Sequence, residues 1–114
     1  MRVLVVGAGR IGAKVIKQLQ KNPAIDIVTA DPRPRHVAVE EGVIEAVDIR
    51  QNITPLTIEA ILRAARPDLV LITMQPEDMG LGRTPGVDIL AESLHAEIAA
   101  ISPVPVIEVA RTSR

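Results

Sequence analysis

The chain has no phenylalanine, tyrosine or tryptophan and no cysteine among its 114 residues. Without cysteine, disulfides, thiolate metal sites and thiol nucleophiles are excluded. Without aromatic rings the core must be assembled from Val, Ile, Leu, Ala and Met, and no tyrosine can serve as a catalytic acid or base. An excess of one charge is lacking too: 13 basic against 14 acidic side chains leave a net charge of −1, which gives no case for nucleic acid as a partner. No apolar run reaches the roughly 18 residues that span a bilayer, and the chain opens on a core-like strand instead of a signal peptide. The expectation is a soluble, cytoplasmic protein with no direct membrane insertion. The length suits one domain with a real core, and is too short for a nucleotide domain plus a substrate domain.

What the chain does have is concentrated at its start, where residues 2–12 read RVLVVGAGRIG. Val3, Leu4, Val5 and Val6 form a continuously apolar strand of the kind buried in a parallel sheet. The run Gly7, Ala8, Gly9, Arg10, Ile11, Gly12 then has the G-x-G-x-x-G spacing. Gly7 permits a tight turn, Gly9 lets the backbone approach a pyrophosphate with no Cβ in the way, and Gly12 lets the first helix pack closely on the strand. The helix start points N–H groups and a partial positive charge at the phosphates. Asp31 follows at the end of the next strand, nineteen positions after Gly12, where a carboxylate can hold a ribose 2′-OH. A glycine turn alone is weak evidence; a strand before it, an amphipathic helix after it and an acid at this distance point to a dinucleotide.

The remaining pattern alternates strand and helix. Gly12, Val15, Ile16 and Leu19 recur at helical spacing, and Asn22-Pro23 ends that helix. A second strand is expected at 25–30, followed by DPRPRH, whose two prolines forbid regular structure. A short helix at 36–41 closes on Gly42, and a third strand is expected at 43–48. Thr54-Pro55 reads as a cap and first helical residue, with Ile58, Ile61, Leu62 and Ala65 as the stripe and Arg66-Pro67 as the stop. The apolar run at 68–74 is a central strand, and the loop at 75–86 is long enough to be functional. The longest helix is expected at 87–101. The last strand, at 104–109, contains Pro105 and so belongs at an edge. The fold class is therefore α/β: a single Rossmann-like, doubly wound parallel sheet of about five strands in the order 3-2-1-4-5, joined by right-handed crossovers. Residues 1–110 form the nucleotide-binding domain and 111–114 a basic tail expected to be disordered.

GAGRIG, the acid ending strand two at Asp31, the aspartate ending strand three at Asp48 and the fourth strand DLVLIT resemble the TrkA N-terminal family, the nucleotide-binding regulatory domains of potassium channels and uptake systems. The likeness covers about 1–110. It implies a regulatory nucleotide site, pairing into a homodimer through the long helix, and a membrane transporter or another subunit as partner. A second likeness, of residues 48–73 to extended short-chain dehydrogenases, stops at the missing tyrosine that such enzymes require.

Several residues admit two readings. Arg10 lies along the pyrophosphate, as similar arginines do in the resembling family, or is a solvated first-turn residue. Pro32 and Arg33 follow Asp31 at the adenine end; Arg33 and Arg35 flank the adenine, accept a 2′-phosphate, or simply hold a proline loop in solvent. Asp48 and the adjoining Ile49 sit where the family contacts adenine, although Asp48 equally suits a cap. Thr73, Met74 and Gln75 face the nicotinamide ribose, or mark a strand running into a loop. Glu92 and His95 have the spacing of helical metal ligands, but with no matching pair elsewhere they are expected on a solvated helix face, with no metal site. His36 is at the adenine end, away from any nicotinamide, so no catalytic residue is assigned.

The expected function is a nucleotide-binding regulatory or sensor module that prefers NAD or NADH over NADP, ATP or ADP and carries no chemistry of its own. One alternative is the NAD-binding subunit or fragment of an oxidoreductase whose catalytic part lies on another chain. Another is a methyl-donor site, since S-adenosylmethionine also uses a glycine turn and an acid after strand two.

Overall fold

The computed structural model describes residues 1–33, 36–73 and 87–109, and only the backbone of 87–92. Met74, Arg35, the loop at 75–86, the side chain of Glu92 and the tail at 111–114 lie outside the described residues. The elements in chain order are β1 (Arg2–Val6), α1 (Arg10–Leu19), β2 (Asp26–Ala30), α2 (Val37–Glu40), α3 (Ile58–Ala65), β3 (Leu69–Ile72), α4 (Val87–Ile101) and β4 (Val106–Glu108). The four strands form one parallel sheet in the order β2-β1-β3-β4. β1 is central because both of its faces are apolar, with Val3 to Val6 all buried. No helix among the described residues is long and apolar enough to cross a membrane.

Alternation along β1 sorts the helices onto two faces. Val3 and Val5 pack with Ala13 and Ile16 of α1 and Ala38 of α2. Leu4 and Val6 pack with Ile58, Ile61 and Ala65 of α3 and Ile98 of α4. A strand shows successive side chains to opposite faces, so a run apolar at every position needs a helical layer on each side, and the sheet is wound on both. Burying each of these Val, Leu and Ile side chains is worth about 1.5–3 kcal/mol.

The expected third strand is not formed. Residues 43–46 bend instead, and the contact beside β2 shrinks to a single parallel bridge between Ala30 and Ile49, which leaves four strands among the described residues where five were expected and removes strand 3 from the order 3-2-1-4-5. The cause lies at the end of α2. Gly42 turns the chain with a φ of 74°, and the N–H groups of Val43 and Ile44 both donate to the carbonyl of Ala38, at 2.9 and 3.2 Å. Amides bound to a helix end cannot enter a ladder. Val47 still reaches the core on the α1 face, so the apolar pattern reports burial correctly and strand geometry wrongly.

Two further boundaries shift. α3 starts at Ile58, after a turn at 54–57 closed by mutual bonds between Thr54 and Thr57, so Pro55 precedes the helix instead of opening it. Its C-cap is Arg66, left-handed at φ 49°. β4 is an edge strand, as its proline requires: among the described residues it pairs only with β3, and Pro105 contributes a carbonyl, to Val70 at 2.9 Å.

Candidate functional site

The turn between β1 and α1 is tightly constrained. Gly7 has a φ of 107°, in the left-handed region that only glycine occupies without strain. Its N–H donates to the carbonyl of Ala30 at 2.7 Å, tying the turn to the end of β2. A Cβ on Gly12 would stand 2.0 Å from the carbonyl oxygen of Gly7 and 3.0 Å from Oγ1 of Thr73. The third glycine is therefore obligatory: α1 crosses the strand end so closely that no side chain fits.

Ala8, between the first two glycines, is fully buried and held from both sides. Its N–H donates to Oδ2 of Asp31 at 2.8 Å, and its carbonyl accepts the N–H of Ala38 in α2, also at 2.8 Å. Gly9 precedes α1 as its N-cap, with no side-chain cap and no acidic residue in the first turn. An uncapped helix start with its macrodipole unneutralised favours an anion. Arg10, on the first helical residue, is exposed, and Ile11 is half-buried.

Asp31 is 1% exposed. Besides Ala8 it accepts the N–H of Arg33 on Oδ1 at 2.8 Å, so the acid after β2 fixes both the glycine turn and its own connection to α2. A carboxylate offers about four acceptor sites, and these two backbone bonds take one on each oxygen. Pro32 and Arg33 are half-buried beside it. Thr73 is likewise buried: Oγ1 donates to the carbonyls of Val6 at 2.8 Å and Gly7 at 3.1 Å. Its hydroxyl braces the strand end and the turn from the β3 side.

Asp48 is exposed and lies along β2, where Oδ2 accepts both the N–H and the hydroxyl of Thr29, at 2.9 and 3.2 Å. Ile49 exchanges backbone bonds with Thr29 and Asp31, each at 2.9 Å. Gly7, Ala8, Gly9, Gly12, Asp31, Arg33 and Thr73 thus meet around one turn, whereas Asp48 and Ile49 attach to it through the outer edge of β2. Met74 falls outside the described residues.

Comparison with known proteins finds neither a family model nor a curated protein that matches the chain.

Two histidines take positions that the sequence does not announce. The ring of His36, just before α2, lies over Gly9. His95, expected on a solvated face, is buried at 7% exposure, and its Nδ1 bonds to the carboxylate of Glu108 on β4. No short-range spacing signals that pairing, because the partners are thirteen residues apart on a helix and an edge strand. A groove of about 390 Å³ lined by Glu59, Leu62, Arg63, Ile101 and Pro103 shares no residue with the turn.

Proposed function

We propose that the chain is a nucleotide-binding regulatory or sensor module, preferring NAD or NADH, that acts in the cytoplasm in the manner of the TrkA N-terminal domains it resembles. The observation that carries this reading is the preset turn. Gly7 is left-handed, Gly12 leaves no room for a Cβ, and Asp31 and Ala38 hold Ala8 from either side. A backbone this constrained beside an uncapped helix start supports pyrophosphate binding at low reorganisation cost. Asp31 favours NAD over NADP in this reading, since an ionised carboxylate next to the adenosine ribose repels a 2′-phosphate. Thr73 braces the turn from the β3 side in this reading.

The same reading gives the chain no catalysis of its own and pairs it with a second copy through α4. On α4, Ala96, Ala99, Ala100 and Ile101 are all exposed, Ile101 at 50%, which leaves apolar surface for a second copy to cover. A membrane transporter or another subunit would read the bound state.

A thermal-shift panel of NAD, NADH, NADP, ATP, ADP and S-adenosylmethionine tests the proposal. NAD and NADH should stabilise the chain most, by about 2.7 kcal/mol at a hundred times the dissociation constant. A panel in which no nucleotide raises the melting temperature refutes it.

A further inference from the structure

A Cβ built on Gly9 would stand 3.0 Å from Nε2 of His36, 3.4 Å from Cε1 and 3.6 Å from Cδ2. The imidazole therefore borders the space into which a side chain at position 9 would project, with Nε2 foremost. In a glycine turn of this type that direction is where the ligand's pyrophosphate comes against the backbone. The placement is fixed by the backbone around the residue. The N–H of Ala38, two residues on, donates to the carbonyl of Ala8 at 2.8 Å, and the N–H groups of Val39 and Glu40 donate to the carbonyl of His36, each at 2.9 Å. The second glycine of the motif thus has a partner inside the chain, and any ligand that reaches Gly9 reaches His36 with it.

We infer that His36 is a phosphate-contacting residue of this site, donating a hydrogen bond from Nε2 to a phosphoryl oxygen seated against Gly9. The inference rests on the nucleotide reading and adds to it a contact that the glycine pattern does not assign. A hydrogen bond to a phosphoryl oxygen is charge-assisted and stronger than a neutral one, so the contact contributes to affinity as well as to orientation.

Calorimetric titration of the full chain with NAD and with adenosine, in wild type and in His36→Leu, tests the contact, because only NAD carries the pyrophosphate. His36→Leu should bind NAD about tenfold more weakly than wild type. Adenosine, which has no phosphate, should bind both proteins alike. With only two histidines in the chain, the imidazole proton resonances can be assigned with a His95→Gln variant, and saturating NAD should shift that of His36. Equal NAD affinity in wild type and His36→Leu, or an unshifted His36 resonance in the saturated complex, overturns the inference and leaves the nucleotide reading standing. No NAD binding by wild type overturns both.

Discussion

Oδ2 of Asp31 accepts the N–H of Ala8 at 2.8 Å across twenty-three residues of chain. The acid therefore shapes the glycine turn before it can touch a ribose. Asp31→Ala removes two charge-assisted backbone bonds at a site that is 1% exposed, and should destabilise the ligand-free protein by about 1–3 kcal/mol in urea denaturation. It should also weaken NAD binding about ten- to a hundredfold and narrow the preference over NADP. Unchanged denaturation midpoint and slope would separate Asp31 from the turn; unchanged NAD affinity would remove it from the site.

The three glycines of the motif should respond differently to alanine. At Gly12 the new Cβ meets backbone at 2.0 Å, so α1 must move, and a loss of at least about 2 kcal/mol is expected, in the range of strongly destabilising substitutions. At Gly9 it meets the edge of the His36 ring at 3.0 Å, and a side chain can turn away, so stability should change by less than about 1 kcal/mol while NAD binding suffers. At Gly7 the positive φ alone costs about 1–2 kcal/mol. Thermal melts of the three variants should rank Gly12→Ala lowest; Gly9→Ala as the lowest would contradict the geometry.

Thr29 and Asp48 share three bonds at the β2 edge: Asp48 accepts from the amide and hydroxyl of Thr29 and donates its own N–H to that hydroxyl. Thr29→Val and Asp48→Ala should each cost about 1 kcal/mol. Contacting residues couple by about 0.5–3 kcal/mol, so the double variant should lose less than the sum. Strict additivity in chemical denaturation would mean that the pair does not act together.

His95 and Glu108 join α4 to β4. Among the described residues Nε2 of His95 has no hydrogen-bond partner, so Glu108→Ala leaves a buried imidazole with Nδ1 unsatisfied as well, at a cost of about 1–3 kcal/mol. Adding His95→Leu removes the polar ring and should recover part of that loss. A double variant less stable than Glu108→Ala would show that the ring contributes by its shape and not through its bond.

Pairing through α4 predicts that Ala99→Glu, at an exposed position, converts a dimer into a monomer in light scattering at micromolar concentration. A wild-type monomer, or a dimer that the charge leaves intact, rules out this interface.

The glycine turn was legible because its constraints are local: a strand, three glycines and a helix stripe lie within twenty residues, and Gly12 meets Gly7 across five positions. The edge placement of β4 followed from Pro105 in the same way. The third strand was not legible. Val43, Ile44 and Val47 carry the apolar pattern of a strand, and only the carbonyl of Ala38, reached through the left-handed Gly42, diverts their backbone. The engagement of Asp31 with Ala8, the ring of His36 over Gly9 and the burial of His95 depend on partners in other elements, which spacing cannot report. The sequence placed Asp31 at the right strand end and left its first partner unread.

The stub at Ile49 has a consequence for how the sheet can grow. The outward N–H and carbonyl of Thr29 and the N–H of Asp31 are all taken, by Asp48 and Ile49, which leaves Ile27 as the remaining outward residue of β2, too short a stretch to template a strand. At the opposite margin β4 ends the sheet with Ile107 half exposed. Among the described residues the sheet therefore has a valency of one: a further strand fits at β4 and not at β2, and two copies that met at β4 would exhaust each other's capacity, so edge pairing would terminate at a pair and not run on into a fibre.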